Sequence, residues 1–165
     1  MKNSLAAVAA VAAVAVLACA APARSADAPQ VPYPDAYRDW RHVKTMVIQA
    51  GHPLHESFGG IHHVYANRKA LDGYRTGKFP DGSVIVLDLL EAPAADSGIT
   101  EGARKLAGVM HKDARKYATT GGWGYEAFGA GDRNKRMVGA NAATACHACH
   151  VAQKDHGYVF STTRD

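Results

Sequence analysis

"PDGSVIVLDLLEA", residues 80–92, decides the fold class. Asp81-Gly82 is a turn signal, and the β-branched, apolar run from Val84 to Leu90 reads as a strand. Alternation puts Ile85, Leu87 and Leu89 on one face and Val84, Val86 and Asp88 on the other. Four long amphipathic helices, the other architecture to weigh for such a chain, leave no room for this run.

Working outward, "IHHVYAN" (61–67) reads as a second strand. Ile61, His63 and Tyr65 share one face there, and His62 and Val64 share the other. "NRKALDGYRTGKF" (67–79) predicts a short helix capped by Asn67 and ending near Gly73 or Gly77. Further upstream, Tyr37, Trp40, Val43 and Val47 recur every three or four residues. That spacing predicts an amphipathic helix starting at Pro34-Asp35, broken by "AGHPLHESFGG".

Downstream, "APAADSGITEGA" (92–103) reads as a loop. "RKLAGVMHKDARKYATTGG" (104–122) fits a helix started by Thr100, or a strand to His111 followed by a helical turn. "GWGYEAFG" (122–129) is strand-like, with Trp123 and Tyr125 read as core. "DRNKRMVGANAATACHACH" turns helical, and "GYVFSTT" (157–163) suits a final strand. There is no internal repeat. Gly, Pro and β-branched runs interrupt every helical candidate after the first. The expected class is therefore α+β, mainly antiparallel sheet with a few helices, and not a four-helix bundle.

A chain of 165 residues suffices for one domain. Residues 1–26 read as a secretory signal peptide: an early Lys2, an apolar run from Leu5 to Ala18, then small residues. Ala20, Ala23, Ala26 and Ala28 are all acceptable cleavage positions. Lipidation at Cys19 is the second reading, disfavoured by the Leu17 before it. The expected location is the periplasm. Residues 27–34 form a Pro-rich lead-in, and residues 35–165 a single domain. Net charge is +4, and losing Lys2 and Arg24 with the signal leaves +2. The cations are dispersed, so no nucleic-acid partner is expected. No later segment is apolar enough to cross a membrane.

Of the three cysteines, Cys19 lies in the signal, leaving Cys146 and Cys149. They stand in "CHACH", Cys146 to His150, the Cys-x-x-Cys-His pattern of c-type haem attachment. Two thiols three positions apart share a helical turn and can add to the two vinyl groups of one porphyrin. His150 follows on the same side as the axial iron ligand. A redox disulfide or half a zinc site are the competing readings; a zinc site needs further ligands, and there is no second cysteine pair.

The group opposite His150 sets the function, because a second strong ligand makes an electron carrier and an open position permits ligand binding or catalysis. His42, His52, His55, His62, His63, His111, His156, Met46, Met110 and Met137 all have suitable donors. His147 lies inside the attachment loop and cannot reach across. One of His62 and His63 could face the pocket, and Phe58 is a candidate cap on the distal side.

The chain resembles the cytochrome P-460 family, which includes the cytochromes c′-beta, over roughly residues 34–160. "YRDW", "HHVYAN", "GKFPDGSVIVLDL", "VMHKDARKYATTGGWGYEAF" and "CHACH…DHGYVFS" carry the likeness, in family order. It implies a secreted, often dimeric bacterial protein with a mainly antiparallel β fold and one covalent haem c. The axial histidine comes from the motif, here His150, and the opposite face is left open. Hydroxylamine-oxidising members carry a lysine bonded to the porphyrin edge, on the strand after the Asp-Gly turn. That position falls on Leu87 here, which cannot make the bond. The resemblance thus points to the c′-beta type, with an uncrosslinked five-coordinate haem that binds NO and CO against an apolar wall containing Leu87. Two alternatives stay open: oxidation of hydroxylamine or NO with electrons passed to a partner cytochrome, and simple electron transfer. No catalytic residue is assigned.

Overall fold

A computed structural model describes residues 30–164. The expected signal peptide and the Cys19 question lie outside the described residues.

The Asp81-Gly82 turn feeds β3, Val84–Leu90, the middle strand of a five-stranded sheet. Around it stand β1 (Arg41–Ile48), β2 (Gly60–Ala66), β6 (Arg104–Lys112) and β7 (Trp123–Gly129). Their order is β1-β2-β3-β6-β7, and every neighbouring pair is antiparallel. A one-turn helix α1 (His55–Phe58) precedes β2, and α2 (Arg68–Thr76) joins β2 to β3. The 92–103 segment folds back through a minimal hairpin, β4 (Ala94–Ala95) with β5 (Gly98–Ile99). The fold is α+β with a mainly antiparallel sheet, and not a helical bundle.

Helix α2 forms where its cap says it should. Asn67 Oδ1 accepts from the Ala70 amide at 2.9 Å and from the Val84 amide at 3.1 Å. The same side chain donates to the Gly82 carbonyl at 2.9 Å, so one residue starts the helix and fastens the turn before β3. Gly77 ends the helix with φ 73°. At the foot of β2, Gly60 has φ 134°, and a Cβ there would stand 2.1 Å from the Leu90 carbonyl oxygen. Only glycine lets β2 approach β3 at that point.

The sheet has two buried faces. One packs Val86, Ala107, Val109 and Phe128 against Val31, Tyr37 and Tyr117. The other packs Val43, Ile85, Trp123 and Tyr125 against Ala70 and Val159, with Cys146 at its margin. The alternation expected along β3 and β2 holds, since Val86 and Ile85 belong to different clusters.

Two local expectations change, and the structure chooses between the two readings of a third segment. The helix read from Asp35 is a single 3₁₀ turn, Tyr37–Asp39, followed by β1. Its apolar residues do not form one stripe: Tyr37 and Trp40 pack on one face of the sheet and Val43 on the other. The β-branched Val43, Thr45, Val47 and Ile48 favour the strand. The ambiguous 104–122 segment is strand β6 followed by a 3₁₀ turn, Ala118–Thr120. Residues 158–164 join no strand. They run over the second face, with Val159 buried and side-chain hydrogen bonds from Tyr74 to Ser161 (2.7 Å) and Lys44 to Thr162 (3.0 Å).

Candidate haem site

The attachment motif lies on a chain of short turns: 3₁₀ at Gly139–Asn141, π at Ala143–His147, α at Ala148–His150 and 3₁₀ at Val151–His156. A π turn widens the helix locally and often marks a functional segment. Cys146 is half-buried, Cys149 is exposed, and both are free thiols. Burial pushes the Cys146 thiol up to about 11, with the Glu126 carboxylate adding to the effect.

His150 is held by the backbone that follows it. The chain reverses at Gly157 (φ 66°) and Tyr158 (φ 67°), which turns the Tyr158 carbonyl to 2.7 Å from His150 Nδ1. Nδ1 carries the proton and donates to that carbonyl, so the lone pair lies on Nε2. Two further bonds hold the reversal: Trp123 Nε1 donates to the Gly157 carbonyl at 2.9 Å, and the Tyr158 amide to the Gln153 carbonyl at 2.7 Å. Burial holds the imidazole below the usual histidine range, although the bond to Tyr158 opposes it. Neutral imidazole is the form that binds metal. The ring lies between Tyr125 and Phe160, with centroids 5.0 and 5.1 Å away.

Glu126 steadies the approach to the motif. Its buried carboxylate accepts from the amides of Val138 and Ala127, each at 2.9 Å, and from Arg136 at 3.2 Å. Nothing in the sequence marked this residue, because a single Glu in an apolar strand has no spacing to read.

The sheet sorts the other candidates. His42, His63 and His111 lie on the face away from Cys146, by their registers with Tyr65, Asp88 and Val84. His42 and His63 both bond Thr45, and His63 Nε2 bonds Glu101 at 2.7 Å. His52 and His156 are exposed, and His55 lies on α1. Met137, in the exposed approach loop, is 57% exposed. His62, Met46 and Met110 share the thiol-bearing face. His62 Nε2 is already committed to the Phe58 carbonyl at 2.5 Å, and Lys105 Nζ donates to the Gly59 carbonyl at 2.8 Å. These two bonds pin the end of α1 to the sheet, with the Phe58 ring partly exposed above it.

Leu87 stands on that same face, half-buried between Val64 of β2 and Gly108 of β6. With Leu106 and Ala127 it makes a partly open apolar surface. Among the described residues, no three His, Cys, Asp or Glu side chains gather on one point to hold an ion. The motif side chains are spaced for a larger group. Two free thiols on one run of turns, a neutral imidazole with a fixed tautomer and an apolar surface fit a haem.

No curated protein matches this chain. Among the described residues, no helix is long and apolar enough to cross a membrane. The family model described as Cytochrome P460 matches residues 34–161, which spans every strand of the sheet and the motif, so the chain belongs to the cytochrome P460 family and shares its haem cofactor.

Proposed function

We propose that this protein is a periplasmic, single-haem c-type cytochrome that binds NO, and CO, at an apolar pocket. Cys146 and Cys149 would hold the haem through thioethers, and His150 Nε2 would hold its iron. Haem iron with one protein ligand supplies a site for a diatomic gas. The bond from His150 Nδ1–H to the Tyr158 carbonyl orients the imidazole and raises its donor strength.

The observation that carries the reading is Leu87. It occupies the position where hydroxylamine-oxidising relatives are expected to carry a crosslinking lysine, and it lies on the thiol-bearing face. Val64, Gly108, Leu106 and Ala127 around it offer no side-chain donor. Such a wall leaves a polar bound dioxygen without partners and costs NO or CO nothing. His62 is a titratable ligand candidate on that face, and its ring nitrogen Nε2 serves the Phe58 carbonyl instead.

Anaerobic titration of the ferrous protein with NO tests this. Saturable binding at one NO per chain is expected, with no reduction of an added acceptor by hydroxylamine. Hydroxylamine-dependent acceptor reduction would replace the gas-binding reading with the oxidoreductase one. A spectrum indifferent to NO would favour simple electron transfer.

A further inference from the structure

A cavity of about 270 Å³ opens behind the backbone that supports His150. Lys78, Lys112 and Lys154 line it, with Asp155 as the only carboxylate in the lining. None of the three lysines forms an ion pair among the described residues. Three ammonium groups against one carboxylate leave the cavity with a local charge of +2.

Lys112 is the unusual member. Its ammonium is drawn inward, donating to the Gly121 carbonyl at 2.7 Å and lying 5.5 Å from the Trp123 ring centroid. Gly122 makes room for it: a Cβ there would come within 2.6 Å of Lys112 Nζ. Burial holds this amine below the usual lysine range, with Asp81 acting in the opposite sense. This half-buried cation has a carbonyl and an indole face as its close partners and no ion-paired carboxylate, Asp81 acting on it only through space.

The geometry points to a binding site for a doubly charged oxyanion, whose occupancy is felt at His150. The charge matches a dianion, and the cavity is large enough for phosphate or sulfate. Its wall includes Gly157 and Tyr158, the dipeptide whose carbonyls accept from Trp123 and His150. Added negative charge there stabilises the ferric state and lowers the midpoint potential. The site itself does not depend on the haem reading, whereas its effect on potential rests on that reading.

Isothermal titration of the dialysed holoprotein with inorganic phosphate, and separately with sulfate, tests the site against chloride at matched ionic strength. Both dianions are expected to bind saturably, one per chain, and chloride to give only dilution heat. Lys112→Gln should weaken phosphate binding about tenfold, the order of one charge-assisted hydrogen bond. Lys154→Gln, at an exposed position that does not threaten folding, should weaken it several-fold. Absence of saturable heat in the wild-type protein would overturn the site, as would wild-type binding in both variants. Phosphate saturation should also lower the haem midpoint potential, and an unchanged potential would overturn the coupling to His150.

Discussion

Leu87 and Asp88 are neighbours in β3 and belong to opposite chemistries. Asp88 is fully buried on one face of the sheet and ringed by cations. Arg38 donates to it at 3.0 and 2.8 Å, and Arg104 at 2.6 and 3.3 Å. Leu87, one residue earlier, stands on the face whose buried cluster Cys146 borders, in an apolar surface that is left partly open. One face spends its polar groups on holding β3 to β6 and to the turn before β1. On the other, Leu87 is bordered by Val64, Leu106, Gly108 and Ala127, and the polar Lys44 and His62 of that face are engaged with Thr162 and the Phe58 carbonyl. The difference sets a buried ion-pair cluster beside an open apolar patch along a single strand.

The sharpest way to break that comparison is Asp88→Ala. Removing the carboxylate leaves the mostly buried Arg104 without its partner and releases the half-exposed Arg38, at a cost of about 3 kcal/mol. Denaturant unfolding of the holoprotein should show this loss. The haem spectrum of the folded fraction should be unchanged, and a changed spectrum would mean that the two faces are not independent.

Acid should act on the buried histidines first and on Asp88 second. Burial pushes the Asp88 carboxyl up, but hydrogen bonds from Arg104 and Arg38 outweigh it and hold the group below its ordinary 3.8. Its contribution is complete above that value and is lost as pH falls through the folded pKa. His62, on the motif face, is held below its ordinary 6.5 by burial, with Lys105 and His63 repelling its proton and the Phe58 carbonyl opposing them. Neutral in the fold, it contributes stability above 6.5 that declines as pH drops below that value. Unfolding free energy measured across a pH series should fall in two stages. His62→Gln should shrink the upper stage, leaving the share of His42 and His111, whose imidazoles burial also holds below 6.5, and an undiminished upper stage would contradict the assignment.

Leu87→Lys has the smallest expected effect on stability, about 1 kcal/mol or less for a half-exposed position. Its effect on the haem should be much larger. Exposure to peroxide is expected to give a crosslinked porphyrin with a red-shifted Soret band. An unshifted band would place residue 87 away from the haem edge.

The strand and cap signals were legible because they are local. Val84–Leu90 carries its own β-branched alternation, and Asn67 needs only the residues that follow it to cap α2. The segment from Asp35 misled because a three- and four-residue spacing predicts one apolar face, while Tyr37 and Val43 pack on opposite sides of a sheet. Residues 157–163 looked like a strand, but the Tyr158 carbonyl is taken by His150, and a positive φ at Tyr158 is incompatible with a ladder. Cys146, Cys149 and His150 were readable from spacing alone. The roles of Glu126 and Lys112 were not, since each depends on partners brought together by the fold.

The ferric protein's electron paramagnetic resonance spectrum, recorded without added ligand, tests the central claim most directly. With His150 as the single protein ligand and His62 Nε2 committed to the Phe58 carbonyl, a high-spin axial signal and an ordinary c-type Soret band are expected. A low-spin signal from a second histidine or methionine ligand would contradict it, with His62, Met46 and Met110 the first residues to replace.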